Sequence, residues 1–313
     1  MNKNKLKKLY DLLKLKDFTF VDIGAAGGFD KRWKILGNRL RVIGFEPNER
    51  EFNNLINKKK NEDIKYYNCC LAKVPCRLKF FVLRKQTISS FLKPRYEFLR
   101  RFKQSERFDI TEEVFLNSET LDNVLMSQKV DFIKILTQGL ELDILKGAGR
   151  ILQNLCGIQI TVAFSQYYEG QPFFADVDIY LRQLGFSLFH LRPCYWKRRF
   201  DIGSGRGQII LADAVYLKDY VMLDTIPSQI GPSIIASFVY KKYDFAMELI
   251  DYFYKKGCLT QVDKQEIESI ISDLGQPLFS IPSFLGKKRI ISYLEKILNS
   301  LTATNWARYD DWD

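Results

Sequence analysis

The feature that most constrains this chain is a short apolar run, Phe18-Thr-Phe-Val21, that leads into Asp22-Ile-Gly-Ala-Ala-Gly-Gly28 and then into a segment of helical character at 29–36. Strand, glycine-rich turn and helix in that order is a demanding pattern. Glycine has no Cβ, so the backbone can turn sharply and approach a ligand closely. In open α/β sheets, ligands sit beyond the carboxyl ends of strands, where such turns lie. The next apolar run, Leu40-Arg-Val-Ile-Gly-Phe45, ends on Glu46. Glu46 lies roughly 24 residues after Asp22, close to the spacing at which an acidic residue accepts hydrogen bonds from ribose hydroxyls. The loop and its acidic partner together predict a nucleoside-binding site.

The rest of the chain repeats the alternation. A helix is expected at about 48–60 and a third strand over 64–71. An inserted strand over 77–83, a basic helical segment over 93–107 and a strand over 108–116 follow. Next come a short helix over 120–126, strands over 130–135 and 158–164, and helices over 141–153 and 173–184. Two last strands, 186–191 and 208–217, have no long helical pattern between them and should pair antiparallel. Alternating strands and helices imply a mostly parallel sheet with helices on both faces. After about 225 only helical patterns remain, at 233–256, 261–274 and 286–300, with Pro277, Pro282 and Gly286 as breaks. The organisation read from this is an amphipathic helix in 1–16, an α/β domain in 17–222 and a C-terminal helical appendage in 223–313.

A second glycine-rich stretch, Asp201-Ile-Gly-Ser-Gly-Arg-Gly207, looks even more like a cofactor fingerprint, but its setting is wrong. A basic segment precedes it and the apolar strand Gln208-Ile-Ile-Leu-Ala-Asp-Ala-Val-Tyr216 follows it. No helix N-terminus is available there to face an anion. It reads as the connection of the terminal hairpin.

The net charge of +11 favours acidic partners: nucleic acid, anionic lipid or anionic substrates. Lysines crowd the first sixteen residues between Leu6, Leu9 and Leu13, so the first helix either docks on the domain or lies on an anionic membrane surface. A second basic knot is Lys197-Arg-Arg199. The six cysteines include no CxxC pair and His190 is the only histidine, which argues against a zinc site. No apolar run follows the basic N-terminus as in a signal peptide, and none is long enough for a membrane span. A reducing cytoplasm with free thiols is the expectation.

With these residues in view, the chain resembles the FkbM family of S-adenosylmethionine-dependent methyltransferases. The matching pieces are Phe20-Val-Asp-Ile-Gly-Ala25, Gly44-Phe-Glu-Pro47, Ser89-Ser90, Thr120-Leu-Asp122, Asp131-Phe-Ile-Lys-Ile135 and Gln138-Gly139. Glu141-Leu-Asp-Ile-Leu-Lys-Gly-Ala148, Gly170-Gln-Pro-Phe-Phe-Ala-Asp-Val-Asp178 and Gly207-Gln208 continue the series. The resemblance implies a Rossmann-like class I methyltransferase sheet, mostly parallel with an antiparallel terminal hairpin, and S-adenosyl-L-methionine as cofactor. Asp22, Gly24 and Gly28 would line the methionine end and Glu46 the ribose, with Ala25 and Pro47 beside them. It implies O-methylation of a hydroxyl on a small molecule or glycan.

Three positions depart from the family pattern. Leu136 stands where Asp is usual, and Thr161 and Ala163 stand where the family alternates Glu-x-Glu. Leucine cannot accept a proton, and loss of a general base typically costs about 10²–10⁴-fold. An impaired cofactor-binding or scaffold protein is therefore the alternative to an active enzyme. The remaining candidates for acid–base work are His190 in an apolar strand, Tyr168 after the fifth core strand and Glu141 at the start of a helix. Tyr167 and Trp196 are candidates for substrate contact, and the 93–107 segment for a lid over an anionic substrate.

Overall fold

The computed structural model describes residues 3–59, 62–200, 205–275, 286–302 and 307–309. The strands in chain order are β1 (Phe18–Ile23), β2 (Leu40–Phe45), β3 (Ile64–Tyr67), β4 (Cys70–Leu71), β5 (Cys76–Leu83), β6 (Ile110–Glu119), β7 (Phe132–Ile135), β8 (Gly157–Ala163), β9 (Phe186–Trp196), β10 (Gln208–Lys218) and β11 (Ala307–Tyr309). Eight of them form the central sheet in the order β11-β9-β10-β8-β7-β1-β2-β3, and β4-β6-β5 form a small second sheet. Strands β3, β2, β1, β7 and β8 run parallel, while β10 is antiparallel to both β8 and β9. The antiparallel terminal hairpin is thus present.

Side-chain alternation decides what each face buries. Phe18, Phe20 and Phe132 point to one face, where Trp33 and Tyr240 stack with them in an aromatic core. Val21, Ile23, Ile133 and Ile135 point to the other, with Leu121, Leu145, Leu152 and Leu181 from the connecting helices. The C-terminal helices Ile230–Val239 and Tyr243–Lys255 belong to the first core, through Ile234, Ile235, Leu249 and Phe253. They cover that face of the sheet together with the N-terminal helix, Lys3–Leu12. Leu6, Leu9 and Tyr10 of that helix are buried, and Lys5 and Lys8 pair with Asp273 and Glu266 of helix Gln261–Gly275. Its apolar side is consumed by docking.

Several local expectations are corrected. The strand expected over 64–71 is two strands in different sheets. The break falls at Asn68, whose side chain turns back to donate to the carbonyls of Glu46 and Pro47. The helix expected over 141–153 is two, Glu141–Lys146 and Gly149–Gln153. A Cβ at Gly147, between them, would lie 2.3 Å from the Ala72 carbonyl oxygen. The helix expected over 29–36 is a tight 3₁₀ segment, Lys31–Arg39, capped by Asp30. The basic segment over 93–107 is helical only at Tyr96–Leu99 and Ser105–Phe108. The 233–256 pattern is two helices. Residues 201–204 of the second glycine stretch, with Pro277 and Pro282, lie outside the described residues, but the stretch does join β9 to β10 as a hairpin connection.

Candidate active site

The glycine loop leaves β1 and lies against β2. The amides of Gly24 and Ala25 both donate to the Phe45 carbonyl, each at 3.0 Å. Gly24 has φ +80°, and a Cβ there would lie 1.9 Å from the Leu136 carbonyl oxygen. Only glycine fits between the ends of β1 and β7. Gly27 and Gly28 also have positive φ, but a Cβ at either would meet nothing within 4 Å.

Glu46 is the keystone of this loop. Its Oε2 accepts the Ala26 amide at 3.0 Å and its Oε1 the Asn48 amide at 2.9 Å. Burial pushes its carboxyl up to about 7, against the pull of those two amides. A carboxylate has about four lone-pair sites, so two remain for hydroxyl donors. That is the demand of a ribose 2′,3′-diol.

Glu46 opens onto a cleft that also includes Gly24, Ala26, Pro47, Leu136, Thr137 and Gln138. Phe45, Leu71, Phe80, Phe91, Leu140 and Ile144 give it apolar walls suited to the faces of a purine ring. Gln86, Thr87 and Ser89, which precede Phe91, close one side. This wall comes from the insertion between the third and fourth parallel strands of the central sheet. Residues Cys69 to Leu71 and Gln86 to Phe91 were missed as site residues in the sequence. The only signal there was Ser89-Ser90, whose role is now visible: Ser90 Oγ donates to the Gln138 carbonyl at 2.6 Å, tying the insertion to the loop after β7.

The expected site residues are not all brought together. Gly24, Glu46 and Pro47 line the cleft, and Ala25 is buried behind the loop. Asp22 does not line it. Its carboxylate is fully buried under the loop and holds Lys134 Nζ at 3.0 Å, and burial raises its pKa to about 6. Gly28 faces a neighbouring cleft lined by Lys31, Lys34, Lys58 and Tyr66.

None of the three acid–base candidates reaches the Glu46 cleft. Glu141 is buried and clamps the loop after β7, accepting the amides of Thr137 at 3.0 Å and Gly139 at 2.8 Å. Tyr168 is wholly buried, and its hydroxyl donates to the Ile88 carbonyl at 2.5 Å, which anchors the Gln86–Ile88 turn beside the cleft. Both are positioning groups. His190 lines a different depression with Asp30, Arg32, Tyr240, Lys241 and Lys242. Tyr167 and Trp196 are packed in an aromatic core with Phe102 and Phe108, so neither presents a stacking surface. Burial within that core overrides the basic neighbours that suggested one.

The three departures also acquire reasons. Leu136 lines the cleft. Ala163 is 3% exposed within the aromatic core, where a carboxylate would be stranded without solvent. Thr161 donates to Asp213 Oδ1 at 2.9 Å, and Asp213 Oδ2 holds Arg192 at 2.5 Å. An acid at 161 would confront Asp213 instead of bonding to it. Among the described residues no cluster of three or more metal-ligating side chains occurs, and no helix is long and apolar enough to cross a membrane.

The family of the Methyltransferase FkbM domain matches residues 22–188, more than half of the chain. The chain belongs to this methyltransferase family, and its cofactor is S-adenosylmethionine. No curated protein matches it. Among solved structures it is similar to a SAM-dependent methyltransferase from Aquifex aeolicus (14% identity, 69% of this chain and 99% of that one, TM-score 0.32). It is also similar to precorrin-6y C5,15-methyltransferase from Geobacter metallireducens (12%, 68% and 87%, TM-score 0.35). A third is magnesium protoporphyrin IX methyltransferase from Synechocystis with bound SAM (10%, 68% and 78%, TM-score 0.33).

Proposed function

We propose that this chain transfers the methyl group of S-adenosylmethionine to a hydroxyl of a small molecule or glycan. The observation that carries the reading is Glu46, a buried carboxylate with two lone-pair sites left over at the mouth of an apolar cleft beside Gly24. Glu46 receives the ribose hydroxyls, and the walls from Phe45 to Ile144 receive the base. The cofactor supplies a methyl carbon activated by the adjacent sulfonium. The acceptor oxygen would bond to that carbon as the carbon–sulfur bond breaks, with S-adenosylhomocysteine leaving and the hydroxyl proton passing to solvent water.

The chain's own contribution is placement. The carboxylates lining the cleft are Glu46 and Glu51, both beyond the end of β2. Gln138, after the end of β7, offers a neutral polar group to the acceptor. Tight positioning there, set by the Glu141 clamp and the Ser90 tie, replaces the fixed base that an acid at 136 would provide.

Calorimetry with S-adenosylhomocysteine, followed by mass spectrometry of a panel of sugars offered with S-adenosylmethionine, tests this. Micromolar binding and a product heavier by one methylene unit on a hydroxyl-bearing acceptor are expected. Absence of cofactor binding overturns the reading.

A further inference from the structure

Two basic segments, distant in sequence, form one surface. The 93–107 segment is strapped across the loop after β8 and the end of β9. Arg95 donates its amide to the Tyr167 carbonyl at 2.9 Å, and Arg199 donates its own to the Arg101 carbonyl at 3.0 Å. Bridges join Pro94 to Tyr168 and Phe102 to Arg198, and the buried rings of Phe102 and Trp196 meet at 5.6 Å. Because β8 and β9 are both antiparallel to β10, their ends point the same way. The strap therefore lies on the carboxyl edge of the sheet, the edge that carries Gly24 and Leu136. It begins two residues after Phe91, a wall of the cofactor cleft.

The cations of this surface outnumber its acids, Glu97, Glu106 and Glu169. Lys93, Arg95, Arg100, Arg101 and Arg199 are exposed. Among the described residues no carboxylate lies within ion-pair distance of any of them. Several cations elsewhere have acidic partners, among them Lys5, Lys8, Arg39, Arg41, Lys79 and Lys264. Arg100 and Arg101 lie over the rings of Tyr96 and Phe98, each at 5.9 Å, which holds their side chains in place. Four of these five exposed cations are arginines, whose planar fork grips two oxygens of one oxyanion.

We infer that this strap binds phosphate groups of the acceptor, so the methylated molecule is a phosphorylated sugar or glycan. The inference rests on the proposed methyl transfer to a hydroxyl. Two sources share this chemistry, a nucleoside-diphosphate sugar and a polymer with phosphate in its backbone. A solvated basic face would need no such arrangement, with two segments knitted together at the ligand-binding edge.

The test uses the full chain, with UDP-glucose, poly(glycerol phosphate) and a 20-nucleotide single-stranded RNA as probes in binding titrations. Arg100→Glu/Arg101→Glu/Arg199→Glu is the main variant, and Arg100→Gln/Arg101→Gln is the milder one if charge reversal disturbs folding. One of the two probes, UDP-glucose or poly(glycerol phosphate), should bind wild type and weaken at least tenfold in either variant, while S-adenosylhomocysteine binds wild type and variants alike. Tighter binding of UDP-glucose points to the nucleotide sugar, and tighter binding of poly(glycerol phosphate) points to a polymer with phosphate in its backbone. Equal binding to wild type and variant, or no binding of either UDP-glucose or poly(glycerol phosphate), overturns the inference. So does RNA binding tighter than both, with a steep salt dependence from counterion release. Loss of S-adenosylhomocysteine binding by wild type is a separate result, and it counts against the methyltransfer reading alone.

Discussion

The carboxyl edge of the central sheet has two halves, and they are built on opposite principles. At the ends of β1 and β2, backbone geometry and a buried charge are fixed to tolerances of tenths of an ångström: Gly24 against Leu136, and Glu46 between two amides. At the ends of β7 and β8, acids give way to Leu136, Thr161 and Ala163, and the nearby polar groups are turned inward to hold loops in place. Recognition of a common cofactor demands one geometry. Recognition of an acceptor tolerates many, so the second half is free to trade chemistry for packing.

The largest expected effect comes from breaking the first half. Gly24→Ala places a Cβ 1.9 Å from a backbone oxygen and forces an alanine to φ +80°. The left-handed conformation alone costs about 1–2 kcal/mol, and the clash must separate β1 from β7. Binding of S-adenosylhomocysteine should fall by at least about 100-fold. Gly27→Ala carries the same backbone penalty but has open space around it, so it should keep most of its affinity. Equal losses in calorimetry would show that the β1–β7 contact is not what matters.

The second half can be tested by returning an acid to it. Leu136 lines the cleft, so Leu136→Asp offers a carboxylate to the acceptor without entering the aromatic core that surrounds Ala163. Where proton removal limits the rate, kcat should rise on the order of 10²-fold, with cofactor affinity unchanged. An unchanged or lower kcat in methyl-transfer assays would mean that placement already supplies the rate.

Much of the first half was legible in the sequence and little of the second, for a physical reason. A positive-φ glycine turn and an acid at the end of the next strand are local requirements, so Asp22 to Gly28 and Glu46 announce themselves by spacing. The roles of Glu141, Tyr168 and His190 depend on which remote carbonyl or amide each side chain meets. Tyr168 is bonded to Ile88, 80 residues away in sequence, and no pattern records that. The same holds for the C-terminal helices. Their period could be read, but not the fact that Ile234 and Phe253 complete the core under β1. The second glycine stretch was separable because its flanks, not its glycines, carry the information.

Glu46→Gln probes the charge rather than the shape of the first half. The Glu46 carboxyl sits at about 7 in the fold against an ordinary 4.5. Between those values the folded protein keeps a proton that the unfolded chain has released. Stability of the apo-protein therefore falls as pH rises from about 4.5 to about 7, by up to about 3 kcal/mol. The glutamine variant should lose that slope in pH-dependent urea melts and retain the shallower one of Asp22, whose value is raised from 3.8 to about 6. Cofactor affinity of wild type should weaken below pH 7, as the acceptor oxygens protonate, and that of Glu46→Gln should be lower by about tenfold and flat. A wild-type affinity independent of pH from 5 to 8 would place the ribose elsewhere.

The smallest effect asks whether the second half has any hidden chemistry. Thr161→Val keeps the volume and deletes the hydroxyl that Asp213 accepts. Asp213 keeps its ion pair with Arg192, so the cost should be that of one buried hydrogen bond, about 1–2 kcal/mol, or a Tm lower by about 2–8 °C. If the hydroxyl only secures β8 to β10, kcat and its pH profile should not move while Tm does. A kcat that falls more than tenfold with Tm unchanged would give the Thr161–Asp213–Arg192 chain a part in handling the acceptor's proton. It would also make the two halves of the edge less different than their burial suggests.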